Sequence, residues 1–293
     1  MKKQRIQISN AVFFGVDAIV MIVVVISTLY PFIYMVMRSF SSGSTFGEVL
    51  LWPSKPTTIA YRMMIEKVNF FDGAVISVLR STICPVCTIV CIYMAGFSLA
   101  KENLVGRKFF SRFITFSMYF SAGLLPAYMN MVSLHMTSTF YVYLVPYLVN
   151  AFNMILIKTY IQDLPRPLEE SAEIDGANDA QVAFLVVFPL CLPVLAAVML
   201  FEFVGQWNAY TDTLLYNSNV PELYSLQYML SNLLNATLRV SASDIQNQVE
   251  RQRFNSDALK MAMTVVVCLP VLIVYPFLQK YFVKGILIGS IKG

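Results

Sequence analysis

Five carboxylates crowd thirteen residues of an otherwise apolar chain: Glu169, Glu170, Glu173, Asp175 and Asp179 in the stretch LEESAEIDGANDA, residues 168–180. Acid–base or metal chemistry in a membrane protein needs such groups clustered at membrane depth. The chain has one histidine, His135, and its other acids are scattered, so it offers no such cluster. That leaves electrostatics: a solvated acidic loop, or an anionic helix presented to another protein. Two observations weigh against the plain solvated loop. The stretch is opened by prolines and broken by a glycine, and its charge runs against the cationic bias of inner membrane loops.

The local elements follow from these residues. Pro165 and Pro167 stop one helix and start the next, which sets Glu169, Glu170 and Glu173 in the first turns, where the positive helix end favours anions. Gly176 supplies the chain reversal, and Asn178 is an N-cap for the helix that follows. Ala172 and Ala177 keep this short helix thin, so that a groove on another protein could close around it.

The rest of the chain places this segment. Of 293 residues, 57% are apolar and 13% charged, against roughly 25% charged in soluble domains. Most of the chain is therefore expected in lipid, as an all-α integral membrane protein forming one domain over 1–293. A bilayer core of ~30 Å takes about 20 helical residues. Six apolar stretches are long enough: 12–37, 74–99, 109–133, 139–161, 184–206 and 258–281. The first follows Lys2, Lys3 and Arg5 but exceeds a signal-peptide core and lacks a small-residue cleavage site, so it is expected to be retained. The loop from Lys101 to Arg112, with four cations and one anion, faces the cytoplasm by the positive-inside rule. Both termini and the segment 165–182, between helices four and five, then lie on that side. The two longer loops, near 38–73 and 207–257, face out. The first carries helix-breaking Trp52-Pro53 and Pro56, the second an amphipathic pattern, YSLQYMLSNLLNATL. A net charge of +4 spread between apolar runs gives no nucleic-acid stripe.

Polar groups in or beside the apolar helices are the candidates for substrate contact: Asn150 and Asn153 in helix four, Glu202 in helix five, and Trp207, Asn208 and Tyr210 at its outer end. Amides, carboxylates and aromatic rings suit sugars, although Asn in a membrane helix is also interhelical glue and Trp an interfacial anchor. Asp17 and Arg80 are charges inside spans, costly unless paired. Asp17 lies near an inner end, and Arg80, near an outer end, could snorkel outward; a structural role is expected for both, with an ion pair that breaks during a conformational switch as the alternative. Cys84, Cys87 and Cys91 read as small apolar residues on a helix face, not as metal ligands. No glycine opens a G-x4-G-K-[ST] loop, so powered transport would borrow its nucleotide site.

Glu170-Ser171-Ala172-x3-Gly176 followed by Val186-x-Phe188-Pro189 resembles the EAA motif of the membrane subunits of binding-protein-dependent ABC importers. Ser171 stands at the motif's second position, where an alanine is usual, and Val186 and Phe188 replace Ile and Leu. Trp207-Asn208 and the ending YPFLQKYFVKGILIGSIKG are similar to the carbohydrate-uptake, maltose-permease-like branch, and the long loop between helices five and six resembles members serving complex oligosaccharides, including acidic or fructose-containing ones. The resemblance implies that 165–182 is a coupling helix seated on a cytoplasmic ATPase, with Glu169, Glu170, Ser171, Ala172, Asp175, Gly176 and Ala177 at the contact. Gly289, Ser290 and Lys292 of the C-terminal tail would also reach toward that ATPase. It further implies a second homologous permease, two ATPase copies carrying ATP and Mg, an extracytoplasmic solute-binding protein and a location in the bacterial plasma membrane. The chain itself would hold no cofactor and catalyse no reaction. An ion-coupled secondary transporter is the alternative; it predicts inverted repeats, and the sequence has no evident internal symmetry.

Overall fold

A computed structural model describes residues 2–41, 51–53, 55–67, 69–236 and 257–276. In chain order the helices are α1 (Lys2–Ser39), α2 (Ile59–Lys67), α3 (Phe70–Ala100), α4 (Arg107–Tyr119), α5 (Leu124–Ser133), α6 (Tyr141–Leu144), α7 (Ala151–Gln162), α8 (Pro167–Ile174), α9 (Asp179–Gln181), α10 (Phe188–Leu190), α11 (Leu192–Asn208), α12 (Thr211–Tyr216) and α13 (Leu226–Ala236); α14 spans Asp257–Pro276. Among the described residues the only β pairing is an isolated bridge between Ser41 and Pro56.

The chain forms two compact units, Met1–Asn69 with Leu233–Cys268 and Phe70–Asn232 with Leu269–Gly293. In the first, α1 leaves its apolar length uncovered by protein, as a helix solvated by lipid would. The hydroxyls of Ser39 and Tyr61 meet at 2.8 Å, and Ala60 of α2 packs on Ala258 and Ala262 of α14.

In the second unit α3 is central. Ile89, Ile92, Tyr93 and Phe97 pack against Met154, Ile157 and Ile161 of α7 and Val194, Leu195 and Val198 of α11. Between lipid-solvated helices close van der Waals fit replaces the hydrophobic effect as the driving force. Gly96 shows how tight the fit is: a Cβ there would meet the Met154 carbonyl, the Lys158 amide and Ile157 at 3.4 Å each.

Among the described residues three helices are long and apolar enough to cross a membrane unbroken, within Phe13–Ser39, Phe70–Ala100 and Asp257–Pro276. The other expected spans are interrupted. Residues 139–161 form α6, a 3-10 turn Val145–Tyr147 and α7, bent by 47°. Residues 184–206 belong to a pair bent by 79° between α10 and α11, beside Pro189 and Pro193. The stretch 109–133 is two helices, α4 and α5, separated at Phe120–Gly123, where Gly123 takes φ 86°. Hydropathy measures how greasy a stretch is and is blind to a glycine or proline that turns it.

Candidate functional site

Pro167 occupies the first turn of α8, where its missing N–H costs nothing. Ser171 Oγ donates to the Pro167 carbonyl at 2.7 Å. The helix closes with two reversed bonds, Gly176 N–H to Glu173 O at 3.1 Å and Ala177 N–H to Ala172 O at 3.0 Å. This is the Schellman pattern, and it needs Gly176 at φ 89°. Asp175 is the exposed C-cap residue. Asn178 then begins α9 in a capping box, its side chain accepting from the Gln181 N–H while the Gln181 side chain accepts from the Asn178 N–H, both at 2.9 Å.

Two consecutive residues after the end of α3 grip α8. Lys101 Nζ reaches Glu169 at 2.9 Å, Glu173 at 3.1 Å and Asp179 at 4.0 Å, and lies over the Phe97 ring. Burial alone would lower the Lys101 pKa, but the hydrogen bonds that its ammonium donates to Glu169 and Glu173 outweigh it and hold the group above its ordinary value. Glu102 takes a two-pronged bond from the Arg166 guanidinium. That hydrogen bond and charge keep the Glu102 carboxyl below the usual carboxylate range and raise Arg166 in turn. Of the first-turn acids, Glu170 is left exposed.

Two expectations about this segment change. Ala172 and Ala177 do not thin the outer surface. They are half-buried and pack on the α3–α7–α11 core, because only a small side chain lets α8 lie flat against the bundle. Glu169 turns to Lys101 of its own chain, because Glu169 and Glu173, four residues apart, share one face of α8. Gly289, Ser290 and Lys292 lie outside the described residues.

The substrate candidates divide. Asn150 and Asn153 both donate to Glu202 Oε1, at 3.1 and 2.7 Å, and the Asn150 side chain also caps α7 by accepting the Asn153 N–H at 3.1 Å. With Tyr147, Phe201 and Gln206 these three line a cavity of ≈ 390 Å³. Trp207, Asn208 and Tyr210 do not line it. Trp207 is buried and stacks on Phe203, while Asn208 and Tyr210 are exposed.

Arg80 does not snorkel. Its side chain is fully buried, with all five N–H donors used. Nε and Nη2 bond Gln206 Oε1 at 3.3 and 3.0 Å, Nη1 bonds Ala209 O at 3.3 Å and Asp212 Oδ1 at 3.2 Å, and Nη2 bonds Asp212 Oδ2. The Tyr143 ring lies 4.3 Å beneath, its hydroxyl donating to Leu223 O. A membrane-depth cation close to a carboxylate gains more from pairing than from stretching toward distant water. Nothing in the sequence marks Asp212, Gln206 or Tyr143 as partners; a lone intramembrane Arg signals only that some carboxylate is needed. Asp17, by contrast, lies on the exposed side of α1.

Comparison with known proteins agrees with this architecture. Residues 92–288 match the family described as "Binding-protein-dependent transport system inner membrane component". The chain is 34% identical to Protein LplC of Bacillus subtilis (strain 168), over 91% of its own length and 90% of the relative's. It is 33% identical to the polygalacturonan/rhamnogalacturonan transport system permease protein YtcP of the same organism, over 90% and 92%. Among solved structures it resembles, at TM-score 0.82 and 30% identity over 94% of this chain and 98% of the other, a "bacterial ABC transporter involved in the import of the acidic polysaccharide alginate". A helical permease core with a proline-started, glycine-ended acidic helix and near full-length relatives thus leads to one conclusion: the chain belongs to the binding-protein-dependent transport system inner membrane component family.

Proposed function

We propose that this chain is a permease subunit of an ATP-driven importer and forms half of the path by which a carbohydrate oligomer, handed over by an extracytoplasmic binding protein, crosses the bacterial plasma membrane. The names of its relatives, transporters of polygalacturonan/rhamnogalacturonan, galactooligosaccharides and arabinooligosaccharides, support the substrate class. A second, homologous permease would complete the path, and two ATPase copies would bind ATP and Mg. The chain acts as one domain of six crossings, interrupted ones included, with both termini cytoplasmic.

In this reading α8 is the coupling helix. The observation that carries it is the grip of Lys101 and Glu102 on an otherwise exposed helix. The exposed edge, with Glu170, Ser171 and Asp175, meets the ATPase. The opposite edge is fastened to the end of α3 and, through Ala172 and Ala177, to the core. A push on α8 is therefore a push on α3, and α3 carries Arg80 at its other end. The sugar is held beside Asn150, Asn153 and Glu202, whose paired amides and carboxylate suit hydroxyl groups. Gly289, Ser290 and Lys292 are assigned to the ATPase side by resemblance alone.

The test is reconstitution of this chain with its companion permease, ATPase and binding protein in liposomes, with uptake of labelled oligosaccharides followed. Uptake should require ATP and the binding protein, and Glu170→Arg should weaken co-purification of the ATPase. Uptake driven by an ion gradient without ATP would establish a secondary transporter instead.

A further inference from the structure

The N-terminal half of α4 has a composition that the transport reading does not use. Arg107 and Lys108 open the helix with no acid in its first turn, so positive charge stands where the helix dipole disfavours it. Arg112 follows one turn later, and Lys158 of α7 reaches across to Ser111 Oγ at 3.0 Å. These four cations and Ser111 line a cavity of ≈ 880 Å³. Among the described residues none of the four has a carboxylate within ion-pair distance. Glu102, also on the cavity wall, is occupied by Arg166. Arg107 is held in place by donating to Leu99 O at 3.0 Å.

The neighbouring face of the same helix is aromatic. Phe109, Phe113 and Phe116 recur at helical spacing and are 68%, 61% and 67% exposed, and the rings of Phe109 and Phe113 stack at 6.3 Å. A basic cavity, with four cations and one carboxylate already bound by Arg166, beside an exposed aromatic stripe matches a molecule with an anionic head and a hydrocarbon tail. A free anion would leave the stripe uncovered, and a neutral lipid would leave the charge unanswered. The cavity lies on the same side of the unit as α8, since Lys101 and Glu102, a few residues before α4, bind α8.

We propose that Arg107, Lys108, Arg112 and Lys158 form a binding site for the headgroup of an anionic phospholipid of the cytoplasmic leaflet, its acyl chains lying along Phe109, Phe113 and Phe116. The leaflet rests on the orientation in the proposed function; the lipid class rests on charge and shape alone. The site anchors α4 beside the Lys101–Glu102 grip, so lipid charge bears on the element next to the coupling helix.

The test uses the assembled transporter purified in mild detergent and exchanged against phosphatidylglycerol or phosphatidylcholine, with retained lipid per complex read by mass spectrometry. Phosphatidylglycerol should be retained in preference. Lys108→Gln with Arg112→Gln should lower that preference by roughly tenfold or more, as expected for two basic residues at an anionic surface, and Lys108→Arg should preserve it. Equal retention of the two lipids by the wild type, or an unchanged preference in the double variant, overturns the proposal. So does displacement of phosphatidylglycerol by inorganic phosphate alone, which would make this a free-anion site. Loss of the companion permease from the double variant would make it a subunit contact and overturn it equally. Retention is read without transport, so a failed uptake assay leaves this result standing.

Discussion

The second unit holds two charged assemblies, one where Arg80 meets Asp212 and one where Lys101 and Glu102 meet α8, and they obey different physics. Arg80 and Asp212 are 0% and 2% exposed, and every donor of the guanidinium is used. Arg166 and Glu102 are 67% and 61% exposed, and Lys101 shares one ammonium among three acids. A buried pair is worth little against an apolar substitute but costs heavily when half of it is removed. An exposed pair is weak, screened by salt and readily remade. One assembly is built to hold a single arrangement. The other is built to keep contact while its parts shift, as the coupling role proposed for α8 requires.

The sharpest way to break this contrast is at Arg80. Either Arg80→Ala or Asp212→Ala should destabilise the purified complex by about 3–5 kcal/mol, since each strands a buried charge. Arg80→Met with Asp212→Leu should recover most of the loss in thermal unfolding. Single variants as stable as the wild type would erase the distinction.

Next in size is Gly176→Ala. An added Cβ would meet nothing within 4 Å, so the whole cost is conformational, about 1–2 kcal/mol for a left-handed residue. It should appear as fewer sugars moved per ATP, with unfolding nearly unchanged, because frayed ends melt locally.

Lys101→Gln should change global stability by less than about 1 kcal/mol and yet lower uptake per ATP several-fold; equal losses in both readouts would make the lysine merely structural. Glu102→Arg and Arg166→Glu should each impair coupling singly, and the exchanged pair should restore it.

The smallest effect is that of pH. The Glu102 carboxyl is held low, so its contribution is present above the unfolded carboxylate pKa and lost only as pH falls through the lower folded value. Lys101 is raised, so its contribution is present below the unfolded lysine pKa and lost only as pH rises through the higher folded value. Between those limits the grip is constant. Wild-type coupling should therefore be flat near neutrality, and a slope there would locate the titrating group elsewhere.

Much of α8 was legible in the sequence because its signals are local. Pro167, Gly176 and the Asn178 N-cap act within one or two turns, and each stands where its chemistry requires, although the Gln181 side chain that completes the capping box was not foreseen. The direction of Ala172 and Ala177 was not legible, since an alanine fits equally against solvent, partner or core. The same limit hid the partner of Arg80. Asp72, Glu202, Asp212 and Glu222 all lie in the outer half of the sequence pattern, and only tertiary packing selects Asp212. Asn150, Asn153 and Glu202 were singled out for being polar in apolar surroundings, and three of the six residues so chosen converge. Trp207, drawn by the same reasoning, is a packed ring instead.

The turn Val182–Val187, between α9 and α10, is π-helical: the Phe188 N–H reaches back five residues to the Ala183 carbonyl, which also accepts the Tyr93 hydroxyl. Such a turn carries one residue more than α-geometry needs. It absorbs that residue with its flanks nearly in phase, but one further residue inserted there would rotate everything upstream by about 100° about the axis. The acids of α8 would swing away from Lys101, and Glu170 would no longer point outward. In this permease, chain length between the acidic helix and the bend at Cys191 is thus a phase setting, and an evolutionary insertion harmless in the long loops would here disengage the coupling proposed for α8.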